Sequence, residues 1–266
     1  MKSDITIIIL LYKTPLKLIE NLKNLKKFNI IILDQSNDYD LKRKLSKVLP
    51  NIKNYTLSKQ NKGFAKGVNY LVKKVKSKYF FCTQPDVIID EKSILQLKNT
   101  ILRNKKNAII AIPLINKKKI NKSLKEIEVQ NMIGASFLCD KKKFFEIGMF
   151  DEDFFFYWED VELSKRIKKY KYKIFESQNS RAIHNNSKSS GRGLKTEFIR
   201  NGNFIFGELL YDYKINKLRY IKIIRKLFQN LLFFNLNIIF FQFKKVNINL
   251  SRLFGILKFI IYRIKN

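Results

Sequence analysis

The feature that most constrains this chain is an alternation of strand-like and helix-like stretches. Residues 5–12 (ITIIILLY) and 30–33 (IIIL) are unbroken apolar runs rich in β-branched side chains. That is the length and character of strands buried on both faces. Between them, residues 15–27 space Leu16, Ile19, Leu22 and Leu25 along one helical face with lysines opposite. The alternation continues with a helix over 41–48, a strand over 55–57, a helix over 64–74, a strand over 79–83, a helix over 91–105 and a strand over 108–113. It predicts an α/β domain whose mostly parallel sheet carries helices on both faces. Ligands of such sheets gather beyond the carboxyl ends of the strands. The segments to inspect are therefore 12–14, 34–38, 60–67 and 84–86, all polar or glycine-bearing.

The 266 residues are 45% apolar, enough for a real core. A formal charge of +32 favours an anionic partner: nucleic acid, acidic phospholipid or a phosphorylated substrate. A biased Lys, Asn, Ile and Phe composition produces such a charge without function, so its placement carries more weight than its size. From Lys214 onward there are twelve Lys or Arg and no acidic residue, around the uncharged, Phe-rich run 227–243. Cys82 and Cys139 sit in apolar surroundings without a C-x-x-C partner, which predicts buried free thiols in a reducing compartment. The short apolar run after Asp4 lacks the pattern of a cleaved leader, so a cytoplasmic protein is expected.

Four segments contain chemistry. Asp86, in TQPDVIID, follows a strand and a proline, where a hard oxygen suits Mg²⁺ or Mn²⁺ on a diphosphate; alternatively Asp86 or Asp90 caps the next helix. In NKGFAKGVNY, Gly63 and Gly67 permit close backbone approach, and Asn61 and Asn69 offer amides to a base, ribose or phosphate. An ordinary turn into a helix reads equally well. Residues 151–160 hold five carboxylates and five aromatics, ending in Glu159 and Asp160 at a helix start. A carboxylate there can take a proton from an attacking hydroxyl, or merely cap the helix. His184, the one histidine, precedes a polar loop containing Ser187, Ser189, Ser190 and Arg192; it suits a metal or a phosphate, or is incidental.

In order, these segments resemble the family 2 glycosyltransferases of GT-A fold, and within them the bacterial rhamnosyltransferase-like branch. The resemblance rests on Leu11-Tyr12-Lys13, on Asp34-Gln35-Ser36, and on Asn61, Gly63, Phe64, Ala65, Gly67 and Asn69. It continues through Gln84-Pro85-Asp86, Gly134-Ala135, Gly148, Phe150 to Phe155, Glu159 to Leu163 with Arg166, and His184. Thr83-Gln84 stands where family members carry another carboxylate, and Gln35 replaces an Asn.

The resemblance implies a Rossmann-like GT-A domain that performs inverting transfer from a nucleoside-diphosphate sugar, dTDP-rhamnose in the branch it looks most like. Asp160 is then the base, with Glu159 beside it. Asp86 and His184 hold Mg²⁺ or Mn²⁺ on the diphosphate. Asp34 meets the nucleoside base, with Tyr12, Ser36, Asn61, Gly63, Gly67 and Asn69 around the donor. Trp158 and Tyr157 either stack on the acceptor sugar or belong to the core. The expected organisation is a catalytic domain over 1–204 and a basic amphipathic helical tail over 205–266. That tail is expected to rest on the anionic inner face of a membrane beside a glycan or lipid-linked acceptor. A nucleic-acid-binding protein without transferase activity is the alternative, but no helix-turn-helix, zinc-finger or RNP-like signature supports a nucleic-acid partner.

Overall fold

The structure is a computed structural model and describes residues 4–116, 124–185 and 193–266. The chain forms two compact units, Met1–Asp151 with Asp160–Gly191, and Glu152–Glu159 with Arg192–Asn266.

The first unit is built on one sheet. β1 (Ile5–Leu11) lies between β2 (Asn29–Asp34) and β4 (Tyr79–Thr83), with β3 (Ile52–Leu57) beyond β2, all parallel. β1 and β4 are buried almost throughout, as their unbroken apolar runs require. A 3-10 helix (Leu16–Leu25), α1 (Tyr39–Val48), α2 (Phe64–Lys74) and α3 (Glu91–Arg103) connect these strands or follow them. The 3-10 helix buries Leu18, Ile19, Leu22 and Leu25, so the apolar spacing marks the covered face although the turn is tighter than α.

Beyond β4 the sheet turns mixed. β8 (Ser136–Asp140) pairs antiparallel with β4 and with β6 (Ala108–Ile115). β9 (Lys173–His184) runs parallel to β6 and antiparallel to β5 (Val87–Ile89) and β7 (Glu126–Val129). α4 (Lys141–Glu146) and α5 (Glu159–Lys169) complete the elements that begin before β9. Phe64, Phe80, Phe137, Phe144 and Phe150 meet edge to face, with centroids 5.1–6.2 Å apart, in a cluster that fastens α2 and α4 to the sheet. Cys82 and Cys139 are buried and free, and burial pushes both thiols well above their usual pKa.

The second unit contains α6 (Leu194–Lys214), α7 (Tyr220–Ile239) and α8 (Phe243–Lys265). The boundary expected at residue 204 is corrected: α6 runs through it unbroken, and the stretch Glu152–Glu159 belongs to this unit. Phe154, Ile205, Phe206, Leu209, Leu210, Ile223, Ile256 and Phe259 form its core. The uncharged run 227–243 does not make one helix. A turn containing Phe241, at φ 54°, separates α7 from α8.

α6 and α8 cross at glycine. A Cβ on Gly255 would stand 2.2 Å from the Gly202 carbonyl oxygen, a contact no side chain tolerates. Gly255→Leu should therefore lower stability by about 2 kcal/mol or more, because backbone must separate. Urea unfolding of the full chain measures this, and an unchanged midpoint would show that the crossing is not tight.

Candidate active site

Register brings the sequence-predicted segments to one sheet edge. Leu11 pairs with Asp34, and Ile9 with Thr83, so Tyr12, Asp34 and the 84–86 turn all leave the carboxyl end of the parallel strands. Thr83 also pairs with Ser136, which sets Gly134 and Ala135 at that edge. Val87 pairs with His184, bringing the end of β9 to Asp86.

Asp34 is fully buried and anchors the first lobe of the edge. Its carboxylate accepts from the Ser36 N–H at 2.8 Å, the Ser36 hydroxyl at 2.5 Å, the Asp38 N–H at 3.2 Å and the Tyr55 hydroxyl at 3.4 Å. Burial first, then the Asp34 charge, holds the Tyr55 hydroxyl protonated far above its usual range. Gln35, the residue that departs from the expected Asn, is buried and clamps the glycine loop from both sides. It donates to the Gly63 carbonyl at 3.2 Å and accepts from the Lys62 N–H at 2.7 Å. Asn61 accepts from the Gly63 N–H at 2.9 Å, and Gly63 takes φ 86°, a conformation that favours glycine. Gln35→Leu should leave the buried Gly63 carbonyl unsatisfied and destabilise the chain by about 1–3 kcal/mol. Thermal unfolding checks this, and an unchanged midpoint would contradict the clamp.

Two further residues expected at the donor make contacts within the fold. A Cβ on Gly67 would stand 2.6 Å from Leu10 Cδ1, so this glycine serves the contact of α2 with β1. Asn69 is buried, and its amide donates to the Phe150 carbonyl and accepts from the Phe150 N–H, tying α2 to that turn. Both therefore make contacts that hold α2 to its neighbours. Tyr12 is half-buried at the edge, followed by Lys13 at φ 47°, whose ammonium lies 5.6 Å from the Tyr12 ring centroid.

The Asp86 turn is held from below by Asn21, which donates to the Pro85 carbonyl at 2.9 Å. Asp90, not Asp86, caps α3, accepting from the Ser93 N–H at 2.6 Å. Asp86 is fully buried, and its Oδ2 stands 3.5 Å from His184 Nε2. Two donors bound to one ion at about 2.1 Å, at right angles or somewhat wider, are about 3.0–3.5 Å apart. A hard carboxylate oxygen and an imidazole nitrogen at this spacing fit a divalent cation with open positions for phosphate oxygens. Among the described residues no group of three or more His, Cys, Asp or Glu gathers as a closed metal site, so diphosphate oxygens or water would complete the shell.

Asp160 opens α5 and is brought to the edge by Gly134. Its Oδ2 accepts from the Gly134 N–H at 3.4 Å and its Oδ1 from the Val161 N–H at 2.9 Å. A Cβ on Gly134 would touch Asp160 Oδ2 and Phe64 Cε1 at 3.6 and 3.7 Å, so Asp160, this glycine and the start of α2 converge. Burial raises the Asp160 pKa, against the opposing pull of the backbone N–H groups of Gly134, Val161 and Asp160 itself. Ser164 fixes the helix start: its hydroxyl donates to the Asp160 carbonyl at 2.6 Å and accepts from the Met132 N–H at 3.0 Å. Arg166 grips Glu162 through two bonds and donates to the Ile147 carbonyl, so the motif arginine seats the turn at Gly148.

Glu159 is buried and belongs with the Glu152–Glu159 stretch of the second unit, as do Tyr157 and Trp158. Tyr157 and Trp158 take φ 70° and 72°, unusual for such side chains. Gly207 of α6 makes room for them, since a Cβ there would meet Trp158 Cδ1 at 2.9 Å and the Tyr157 carbonyl at 3.0 Å. Trp158 is partly buried and packs against Phe204 and Tyr211. Tyr157 packs on Phe156 and Phe204. Ser187, Ser189, Ser190 and Arg192 lie outside the described residues. The sequence reading missed Tyr55, Asn21, Ser164 and the buried hydroxyls of Thr14, Thr83 and Ser136, which find no hydrogen-bond partner among the described residues.

The profile of Glycosyl transferase family 2 matches residues 6–163, well over half the chain and inclusive of Asp34, Asp86 and Asp160. A comparison with curated proteins finds no match. Solved structures of the same fold include the mannosyltransferase PcManGT from Pyrobaculum calidifontis in complex with GDP-Man and Mn²⁺, with TM-score 0.61 and 13% identity over 80% of this chain and 65% of that one. GalNAc-T7 with UDP, GalNAc and Mn²⁺ aligns with TM-score 0.56 and 14% identity over 68% of this chain and 42% of that one. S. aureus TarS aligns with TM-score 0.56 and 11% identity over 80% of this chain and 40% of that one. This chain thus spans less than two thirds of the length of each. The likeness shows the fold, the α/β GT-A architecture with a C-terminal helical part.

Proposed function

Because the chain belongs to glycosyl transferase family 2 and is a glycosyltransferase, we propose that it moves a sugar from a nucleoside-diphosphate donor with inversion at the anomeric carbon. The observation that supports this most is the convergence of Asp160, Gly134 and Phe64 at the sheet edge where Asp34 and Asp86 also emerge. An acceptor hydroxyl attacks the anomeric carbon as the bond to the diphosphate oxygen breaks, and Asp160 takes the hydroxyl proton. Its raised pKa suits a base that must accept a proton and release it again. Asp34, with Ser36 and the Gln35-clamped glycine loop, holds the nucleoside. Asp86 and His184 would hold Mg²⁺ or Mn²⁺, which supplies charge stabilisation to the departing diphosphate. Two of the similar structures contain Mn²⁺ with a nucleotide or nucleotide sugar, in line with that assignment. dTDP-rhamnose is the donor proposed from the rhamnosyltransferase-like motifs, and a glycan or lipid-linked molecule the acceptor.

The enzyme acts, on this reading, from the cytoplasm at the inner face of the plasma membrane. Ile221, Ile224, Phe228, Leu231 and Leu232 on α7, and Phe243, Leu250, Phe254, Leu257 and Ile261 on α8, are exposed stripes on helices flanked by cations. Among the described residues no helix is long and apolar enough to cross a membrane, so these stripes suit helices resting at an interface.

A thermal-shift panel of nucleoside diphosphates with Mn²⁺ or with EDTA tests the donor site. One nucleotide in Mn²⁺ should raise the melting temperature, by about 2.7 kcal/mol of stability at a hundred times its Kd. A panel in which none does so contradicts the proposal.

A further inference from the structure

The turn between α6 and α7 encloses an open cavity of about 410 Å³ lined by Asp212, Lys217, Arg219, Ile221, Lys222 and Arg225. Four cations and one carboxylate face it, and that carboxylate is already matched. Lys222 pairs with Asp212, and with Glu208 at 2.7 Å; Lys226 pairs with Glu208 at 3.0 Å. Lys217, Arg219 and Arg225 have no carboxylate within ion-pair distance among the described residues and are exposed to solvent. The cavity therefore presents a net positive wall from three uncommitted side chains, two of them guanidinium forks shaped for phosphate.

Its apolar member decides what kind of phosphate fits. Ile221 is 66% exposed and begins a stripe that continues through Ile224, Phe228, Leu231 and Leu232, at helical spacing along α7. Arg225 lies one turn after Ile221 on the same side. A cationic cavity at the head of an exposed apolar stripe is complementary to a molecule with a phosphate at one end and a hydrocarbon chain behind it. A free phosphate would engage the cavity and leave the stripe in water.

We propose that this cavity binds the phosphate of a lipid headgroup, whose chain lies along the exposed face of α7. This rests on the membrane reading above and deepens it, since it assigns to one cavity an attraction otherwise spread over the whole basic tail. A lipid-borne phosphate is also the chemistry of a lipid-linked acceptor, and the site would collect such molecules at the membrane.

The test uses the full chain and flotation with phosphatidylcholine vesicles doped with phosphatidic acid, a lipid with a terminal phosphate. Removing three cations at about fivefold each, Lys217→Gln with Arg219→Gln and Arg225→Gln should weaken vesicle binding by about a hundredfold. Lys44→Gln with Lys47→Gln and Lys53→Gln, exposed lysines of the first unit, should leave it nearly unchanged. Ile221→Ser with Phe228→Ser should also lose vesicle binding. Unchanged nucleotide binding and melting temperature in every variant would show that the fold is intact. Wild-type vesicle affinity in the Lys217, Arg219 and Arg225 variant overturns the site and leaves the membrane reading standing. An equal loss in the Lys44 set overturns it in favour of diffuse charge. Inorganic pyrophosphate binding as tightly as the vesicles, in wild type and in the Ile221 variant alike, assigns the cavity to a free anion and overturns the lipid assignment. A full chain that ignores every anionic vesicle overturns the membrane reading and the site together. A loss of nucleotide binding in the wild type would count against the transferase reading alone.

Discussion

Asp160→Asn should reduce turnover by about 10² to 10⁴ while nucleotide binding stays within a small factor of wild type. The amide keeps the shape of the carboxyl and still fills the space beside Gly134 and Phe64, but it cannot accept the acceptor proton. The pH profile gives a second readout. Burial raises the Asp160 pKa, so the active carboxylate is lost on acidification at a higher pH than for an ordinary aspartate, near 4. The acid limb of kcat/KM should therefore lie above that value in wild type. In Asp160→Asn the residual rate should lose that limb. Near wild-type turnover in the variant would remove Asp160 from the chemistry, and a limb at the ordinary value would mean that burial does not govern the proton.

Asp86→Ala should weaken nucleotide binding by about two orders of magnitude in Mn²⁺ and scarcely at all in EDTA. Losing even an outer-shell partner of a metal ligand commonly costs tenfold to a hundredfold, and a direct ligand costs at least as much. His184→Ala should follow the same ion-dependent pattern, since its Nε2 stands 3.5 Å from the Asp86 carboxylate. Calorimetric titration with nucleoside diphosphate in the two buffers measures the difference. Equal losses with and without the ion would make Asp86 a structural residue of the turn that Asn21 supports.

The parallel half of the sheet was legible because strands buried on both faces must be mostly apolar, and β1, β4 and the centre of β2 are. β9 shows an apolar pair, Ala182 and Ile183, only at its end. It buries Glu176, Ser177, Gln178 and Ser180, and no local pattern marks such polar residues as a strand without its partners β5, β6 and β7. β8 is five residues long, and its place depends on antiparallel pairing with β4, a contact across more than fifty residues. Glycines were ambiguous for a physical reason. Gly63 needs its positive φ at the loop, whereas Gly67 needs only the absence of a Cβ against Leu10, and both appear in sequence as glycine. Asn69 is ambiguous similarly, because an amide suits a backbone turn as well as a ribose. Asp86 and His184 were legible as separate candidates, and the β5–β9 register is what unites them. That the stretch Glu152–Glu159 joins the helical unit was not visible locally, because its aromatics suit a sugar site and a helix core equally.

The stereochemistry of transfer tests the central claim most directly. With the donor identified from the nucleotide panel, the full chain is incubated with that sugar nucleotide and no acceptor, and the sugar first released by slow hydrolysis is followed by NMR before it equilibrates. Water then takes the acceptor's place, and a single displacement with Asp160 as base gives the anomer opposite to the donor's. Release of the donor's own anomer would require a double displacement through a covalent intermediate and would contradict the mechanism.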